Sequence, residues 1–400
     1  MTAEAAFRSL LATAGIQVNG ADPWDIQVHD DRLFRRVFAE GTLGLGEAYM
    51  DGWWDCDQLD EFFHRALRAD LGDKLRASPA AAWLIVSSRL FNLQSKRRAG
   101  MAADTHYDLG IDIFEATFDR RLTGSCGYWE SATTLDAAQE AKLDLVCRKL
   151  GLKAGQRVLD IGCGWGAFLG FAAERYGARG VGVTISREQV AYASKRYAGR
   201  PIEFRLQDYR NYDGPVDHVA SMGMFEHVGR KNYRRFFEVA HRALRRDGLL
   251  LLHTIWTDAR RPAIEPWLNK YIFPNGVLPT VGDVGRAVEG LFTVEDVENF
   301  GVYYDRTLMA WRDKFQSNRE AISRKYGERF CRMWTYYLCS CAGGFRSRII
   351  SVGQFVLSPR GVPGGWFRPA RAREPAATSL GAGRIRIPAL PCDSQAIASG

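Results

Sequence analysis

Residues 158–168 read VLDIGCGWGAF. A short apolar run carries one acid, Asp160, and passes into glycines at 162, 164 and 166 before the helix-like stretch AFLGFAAERYG. Glycine lets the chain turn tightly and brings bare backbone against a ligand. A strand that enters such a loop and leaves it as a helix opens a βαβ unit. Downstream, GVGVTIS, IEFRLQD, VDHVASM and GLLLLHTI read as further short buried strands. SREQVAYASKRY and NYRRFFEVAHRALRR read as helices between them. Strands alternating with helices predict an α/β fold, a parallel sheet with helices on both faces.

The loop spacing selects among ligands. Dinucleotide folds use GxGxxG and place an acid about 20 residues on, at the ribose. Here the glycines are Gly162, Gly164 and Gly166, Asp160 precedes them, and the second strand ends in Val183-Thr184-Ile185 without a carboxylate. This form resembles the first motif of class I S-adenosylmethionine-dependent methyltransferases. The resemblance implies a Rossmann-like sheet of that class, with S-adenosylmethionine held by Asp160, Gly162, Cys163, Gly164, Trp165 and Gly166. Open α/β sheets bind ligands beyond the carboxyl ends of their strands. That selects Thr184, Ser186 and Gln189 after the second strand and Gln207, Asp208 and Tyr209 after the third, where an amide or carboxylate can read an adenine amino group. Met222 to His227 follows the fourth. Each has a plainer alternative: Thr184 and Ser186 suit a helix cap, and Asp208 suits a turn.

Of the 400 residues, 46% are apolar and 12% aromatic, enough for a large core and two domains and too much for extensive disorder. The net charge of +8 favours phosphate-rich partners, nucleic acid or an anionic lipid surface, or is ordinary surface charge. No nucleic-acid motif accompanies it. No apolar run reaches the roughly 18 residues of a membrane span. The N-terminus, with Glu4 and no basic start, makes a poor signal peptide. Eight cysteines without a CxxC pair argue against a zinc site or disulfide scaffold and for a reducing cytoplasm.

Residues 1–80 mix short helices and turns and read as a small, mostly helical N-terminal domain. AAFRSLLATAG puts Phe7, Leu10 and Leu11 on one face, and DDRLFRRVFAEG does so with Leu33, Phe34, Val37 and Phe38. LGLGEAYM reads as a glycine-rich turn. Residues 81–110 form a linker whose helix over 81–100 ends in Lys96, Arg97 and Arg98, a pattern that suits a membrane surface or a helix packed between domains. Residues 111–370 hold the catalytic domain. The stretch 371–400, without aromatics and rich in Ala, Gly, Ser and Pro, reads as a disordered tail.

A closer resemblance rests on LGLGEAYMDGWW (43–54), RLFNLQSK (89–96), HYDLG (106–110), SCGYW (125–129), VLDIGCGWG (158–166), GVTIS (182–186), MFEHVG (224–229), LLHTI (251–255), KYIFPNG (270–276), NFGVYYDRTLMAW (299–311) and TYYLCSCAGGFR (335–346). In these stretches the chain resembles the bacterial cyclopropane-fatty-acyl-phospholipid synthases over most of residues 1–350. It also resembles the mycolic-acid cyclopropane synthases, which lack the N-terminal portion. The resemblance implies an enzyme that sets a methylene across a cis double bond of an acyl chain in a membrane phospholipid. It further implies a homodimer working on the inner face of the membrane. Gly124 and Ser125 join the expected cofactor set. Cys126, Glu226, His253 and Tyr304, with the backbone at Ile255, are implied to hold a bicarbonate ion that acts as base.

The chemistry has its own demands. An alkene is a weak nucleophile and needs an electrophile as strong as a sulfonium methyl. Methyl transfer leaves a carbocation, so a base must take a proton for the ring to close. Water must be kept out, and aromatic faces stabilise positive charge. Trp165, Phe168, Tyr271, Phe273 and Trp311 are candidates for such a slot, though each also suits a core. Glu226 beside an anion is expected to accept a bicarbonate hydroxyl or to orient His253. Several alternatives stay open. Tyr303 adjoins Tyr304, and His227 adjoins Glu226. Cys341 in LCSCAGGFR is either catalytic or a packed thiol. The whole enzyme is either a cyclopropane synthase, a methyltransferase that leaves no ring, or a basic binding protein without turnover. The C-terminus departs from the family pattern, with Pro359 inserted in VLSPRGVPGGWFRPAR.

Overall fold

The computed structural model describes residues 2–74, 110–258 and 264–369. The expected basic helix over 81–100, most of the 81–110 linker and the tail over 371–400 lie outside the described residues.

The N-terminal residues form α1 (Ala3–Ala12), α2 (Arg32–Glu40), α3 (Thr42–Met50), α4 (Leu59–Arg68) and α5 (Leu71–Lys74). Gln27–Val28 (β1) pairs antiparallel with Trp54–Asp55 (β2). Thr2 caps α1 by accepting from Ala5 N–H. The helix buries Phe7 and Leu11. In α2 the buried stripe is Leu33, Phe34 and Val37, while Phe38, expected on that face, is 44% exposed. The LGLGEAYM stretch is helix α3, not a turn. Its glycines serve packing instead. A Cβ on Gly44 would lie 2.8 Å from the Arg36 carbonyl, and one on Gly46 would lie 2.4 Å from Cδ1 of Trp267. Local propensity lost to tertiary contact here.

The second half begins with α6 (Ile111–Thr117) and α7 (Leu135–Lys149). It continues through β3 (Arg157–Ile161), α8 (Ala167–Tyr176), β4 (Arg179–Thr184), α9 (Arg187–Arg196), β5 (Ile202–Leu206), β6 (Val216–Met222), α10 (Tyr233–Ala243) and β7 (Leu244–Thr257). Then come α11 (Pro266–Tyr271), α12 (Val281–Val288), β8 (Thr293–Asn299), α13 (Val302–Ser317), α14 (Arg319–Tyr326), α15 (Glu328–Arg346) and β9 (Ile350–Ser358). The strands make a seven-stranded sheet in the order β5-β4-β3-β6-β7-β9-β8. The pairs among β5, β4, β3, β6 and β7 are parallel, and β9 runs antiparallel between β7 and β8. Strand order reverses direction between β3 and β6, which leaves a crevice at their carboxyl ends.

Alternate residues on the strands supply two cores. Val158, Leu249, Leu251 and Val356 pack with α7 and α8. Leu159, Leu250, Leu252 and Phe355 pack with α10 and α12 on the other face. β5 departs from the fully buried reading: it lies at the sheet edge and is half-covered. The helix expected through Arg246 stops at Ala243, because Leu244 pairs with Val216 and starts β7. β9 forms in full and ends one residue before Pro359. A third core joins α1 to α4 with α13 and α15 and reaches Trp165 and Tyr304.

Gly46 tests that junction. Alanine is worth up to about 1 kcal/mol over glycine inside a helix, but overpacking a filled core costs about 1–3 kcal/mol. Trp267 is fully buried and cannot retreat. Gly46→Ala is therefore expected to lower the unfolding free energy by about 1–2 kcal/mol in denaturant titration.

Candidate active site

The carboxyl ends of β3, β4, β5, β6 and β7 open on one cavity of about 370 Å³. β3 brings Asp160, which is buried, with Oδ1 lacking a hydrogen-bond partner among the described residues. Burial pushes its carboxyl up to about 7, and the nearby Lys142 opposes the rise. The chain then turns through Gly162 (φ +80°), whose N–H donates to the Val183 carbonyl at 2.9 Å. A Cβ at Gly162 would sit 2.5 Å from Met224 Cγ, so this position admits no side chain. Gly162, Cys163, Gly164 and Trp165 line the cavity. Gly166 does not; it turns into α8 at φ +84° against Phe204.

After β4, Thr184 and Gln189 line the cavity, and the Thr184 hydroxyl donates to Gln189 Oε1 at 2.7 Å. Ser186 is the cap of α9, accepting from Gln189 N–H, and is not part of the lining. After β5, Gln207, Asp208 and Tyr209 all line it. The Asp208 carboxylate is already engaged by Arg210, whose backbone N–H and Nε donate to Oδ1 at 2.9 Å each and whose terminal nitrogen donates to Oδ2 at 2.5 Å. Gly124 and Ser125 line the opposite side.

Glu226 follows β6 in a single turn of 3₁₀ helix, Phe225–His227. Its Oε1 accepts from the Ile255 N–H at 2.6 Å, and Oε2 has no partner among the described residues. Burial raises its carboxyl above the ordinary range. Glu226, Ile255 and Tyr304 line the cavity. The Tyr304 phenol lies near Tyr337, Cys126, Glu226 and Cys341, and burial pushes its titration well up. His253 sits in β7, 1% exposed, and does not line the cavity. Neither ring nitrogen has a partner among the described residues, so Glu226 does not orient it. Burial, with Lys142 and Lys149 nearby, holds the imidazole neutral. His227, the alternative, does line the cavity, and burial pushes it down to about 4.

Cys126 and Cys341 lie behind the wall, whereas Cys163 is part of it. Cys126 is fully buried and donates to the Gly127 carbonyl at 3.2 Å. Cys341 projects from α15 outside the lining, its thiol pushed up to about 12 by burial. Both stay protonated at neutral pH, which removes their nucleophilic form. Of the aromatics, Trp165, Phe168 and Phe273 line the cavity, whereas Tyr271 and Trp311 do not. Phe114, Phe118, Trp334 and Tyr337 are additional walls. Their helices come from distant parts of the chain, so no local pattern marks them. Lys142 is a further lining residue, fully buried. A signal existed for it: Ala138, Leu145, Val146 and Lys142 fall on one face of α7, and a lysine on an apolar stripe is anomalous.

Residues 94–355 match the family model of mycolic acid cyclopropane synthetase. Over 356 residues, 89% of this chain and 93% of the relative, the sequence is 50% identical to the cyclopropane-fatty-acyl-phospholipid synthase of Escherichia coli (strain K12). It is 33% identical over 382 residues, 88% of each chain, to the tuberculostearic acid methyltransferase of Mycobacterium tuberculosis (strain H37Rv). Among solved structures, a mycolic acid cyclopropane synthase complexed with SAH (S-adenosylhomocysteine) and CTAB matches with TM-score 0.61 and 35% identity, over 64% of this chain and 97% of that one. A cyclopropane synthase from M. tuberculosis matches equally well, at TM-score 0.61 and 34% identity over the same shares.

The Asp160 carboxyl makes a pH prediction. Its folded titration near pH 7 stands above the ordinary carboxylate value near 4. Between those values the folded chain keeps a proton that the unfolded chain has released, so this group's contribution to stability falls as pH rises. Full burial sets a ceiling of about 4 kcal/mol, and relaxation reduces it. In the ligand-free protein, Asp160→Asn is expected to remove about 1–3 kcal/mol of the decline between about pH 4 and about pH 7, read by denaturant titration of both proteins.

Proposed function

The chain belongs to the mycolic acid cyclopropane synthetase family, and from that membership we propose that it sets a methylene across the cis double bond of an unsaturated acyl chain in a membrane phospholipid. The observation that carries this reading is the shared cavity. One lining unites the glycine loop of β3, the buried Glu226 and Tyr304, and the apolar surfaces of Ile272, Phe273, Trp334 and Tyr337. S-adenosylmethionine supplies the electrophilic carbon when bound.

The chain's own groups meet the other demands. Aromatic walls exclude water from a cationic centre and turn π faces toward it. Glu226 is fixed by the Ile255 N–H at one oxygen and keeps the other available. Burial raises its titration above the ordinary carboxylate range, which favours the protonated form and lessens its repulsion of a neighbouring anion. Unpartnered Glu226 Oε2 and both His253 ring nitrogens are buried polar atoms in need of partners, and they fit a small oxyanion. Glu226, His253 and Tyr304 would hold bicarbonate there, with the Ile255 amide and Cys126 adjoining. The bound ion would supply the base for ring closure. The substrate remains in its bilayer, so the enzyme works at the cytoplasmic membrane surface. A net charge of +8 supports this, since each basic residue near an anionic surface adds about 1 kcal/mol. Among the described residues no helix is long and apolar enough to cross a membrane.

A second reading, methyl transfer without ring closure, is favoured by the methyltransferase relative at 33% identity. Products separate the two. Incubation with labelled S-adenosylmethionine and monounsaturated phospholipid vesicles is expected to give cyclopropane fatty acid by mass and NMR. A methyl-branched chain that keeps an alkene would establish the second reading, and an untouched olefin would reject both.

Glu226→Gln keeps an oxygen for the Ile255 N–H and loses the acid. Turnover is expected to fall about 100-fold or more, with S-adenosylhomocysteine affinity within about twofold of wild type by calorimetry. Parallel loss of both would mark Glu226 as structural.

A further inference from the structure

Lys142 is 0% exposed and lines the cofactor cavity. Its ammonium has three donors but makes one hydrogen bond among the described residues, from Nζ to Ser125 Oγ at 2.8 Å. A buried ammonium with two idle donors is costly and calls for an anionic partner. Two carboxylates influence it, Asp119 and Asp160, and neither lies within ion-pair reach. Asp119 is committed to its own loop, accepting from Thr123 N–H at 2.7 Å and Arg121 N–H at 2.9 Å. Asp160 keeps Oδ1 unpartnered. An acid and a base thus face the same cavity, each incompletely satisfied and not paired with the other.

The geometry suits a zwitterion. S-adenosylmethionine carries an α-ammonium and an α-carboxylate on its amino-acid end. Asp160 matches the first. The other described cation beside the cavity, Arg210, is engaged by Asp208. We propose that Lys142 is the anchor of the cofactor's α-carboxylate, binding it with its idle donors while it holds the Ser125 hydroxyl in place beside it. The scaffold supports that role. Gln139, one turn earlier on α7, donates from Nε2 to the Ser125 carbonyl at 2.7 Å. Consecutive turns of one helix therefore fix both the backbone and the hydroxyl of Ser125. Lys142 is a cofactor-binding and positioning residue on this account; it takes no part in proton removal.

The test compares two ligands that differ only in the carboxylate, S-adenosylhomocysteine and its decarboxylated analogue, by calorimetry on the full chain. Wild type is expected to prefer the carboxylate by at least about tenfold, the scale of a charge-assisted hydrogen-bonded contact. Lys142→Met keeps the length and removes the charge. It is expected to weaken S-adenosylhomocysteine about 10- to 100-fold and the analogue no more than about twofold, so that discrimination collapses. Equal weakening of both ligands would make Lys142 a structural support and overturn the proposal. If Lys142→Met does not fold, Lys142→Gln takes its place. Wild-type discrimination below about twofold overturns the proposal whatever the variants do.

Discussion

Desolvation at the carboxyl edge of the sheet is the constraint on which this molecule depends. Asp160, Lys142, Glu226 and His253 are all nearly inaccessible to water. Each holds donors or acceptors that nothing else among the described residues satisfies. Burying such groups without partners costs several kilocalories each, a burden that the apolar packing around them must offset. The same dryness protects a carbocation from hydration and strengthens every contact to a bound ion. A wetter site would make a more stable apoprotein and a poorer catalyst.

Two layers keep water out. Below, the sheet and α7 supply apolar side chains together with the polar groups that point upward. Above, α13 and α15 close over the loops, and the N-terminal helices hold them. α15 packs against α3, α4 and α13. Charged links reinforce the joint: Glu47 of α3 accepts from Lys270 at 2.6 Å and from Tyr271 at 2.9 Å. Arg346 of α15 reaches Asp60 at 2.7 Å and Asp305 at 2.9 Å. The N-terminal residues thus buttress the helix that carries Trp334 and Tyr337, although none of them lines the cavity itself.

Charge placement divides the chamber by task. The acid and base next to the glycine loop suit an amino-acid zwitterion. The neutral histidine and the glutamic acid whose titration burial raises, both beyond it, suit a small anion. Aromatic rings occupy much of the remaining wall, where their faces suit a transient positive charge. Cysteine thiols held in the protonated state keep a competing nucleophile away from a methylating electrophile.

The alternating strands and helices, the VLDIGCGWG turn and the loops after successive strands were legible in the sequence because their cause is local. Hydrophobic period and glycine spacing act within a few residues of each other. Thr184, Gln189, Gln207 and Glu226 reach the cavity for that reason alone: a parallel sheet sends every strand end to one edge. Only tertiary structure decided the rest. Gly44 and Gly46 became helix because Arg36 and Trp267 press against them, Ser186 turned to cap α9, and His253 sank behind the lining. Lys142 became a cavity group because α7 packs its apolar stripe onto the sheet. Those outcomes depend on which surfaces meet at long range, and no window of neighbouring residues contains that information.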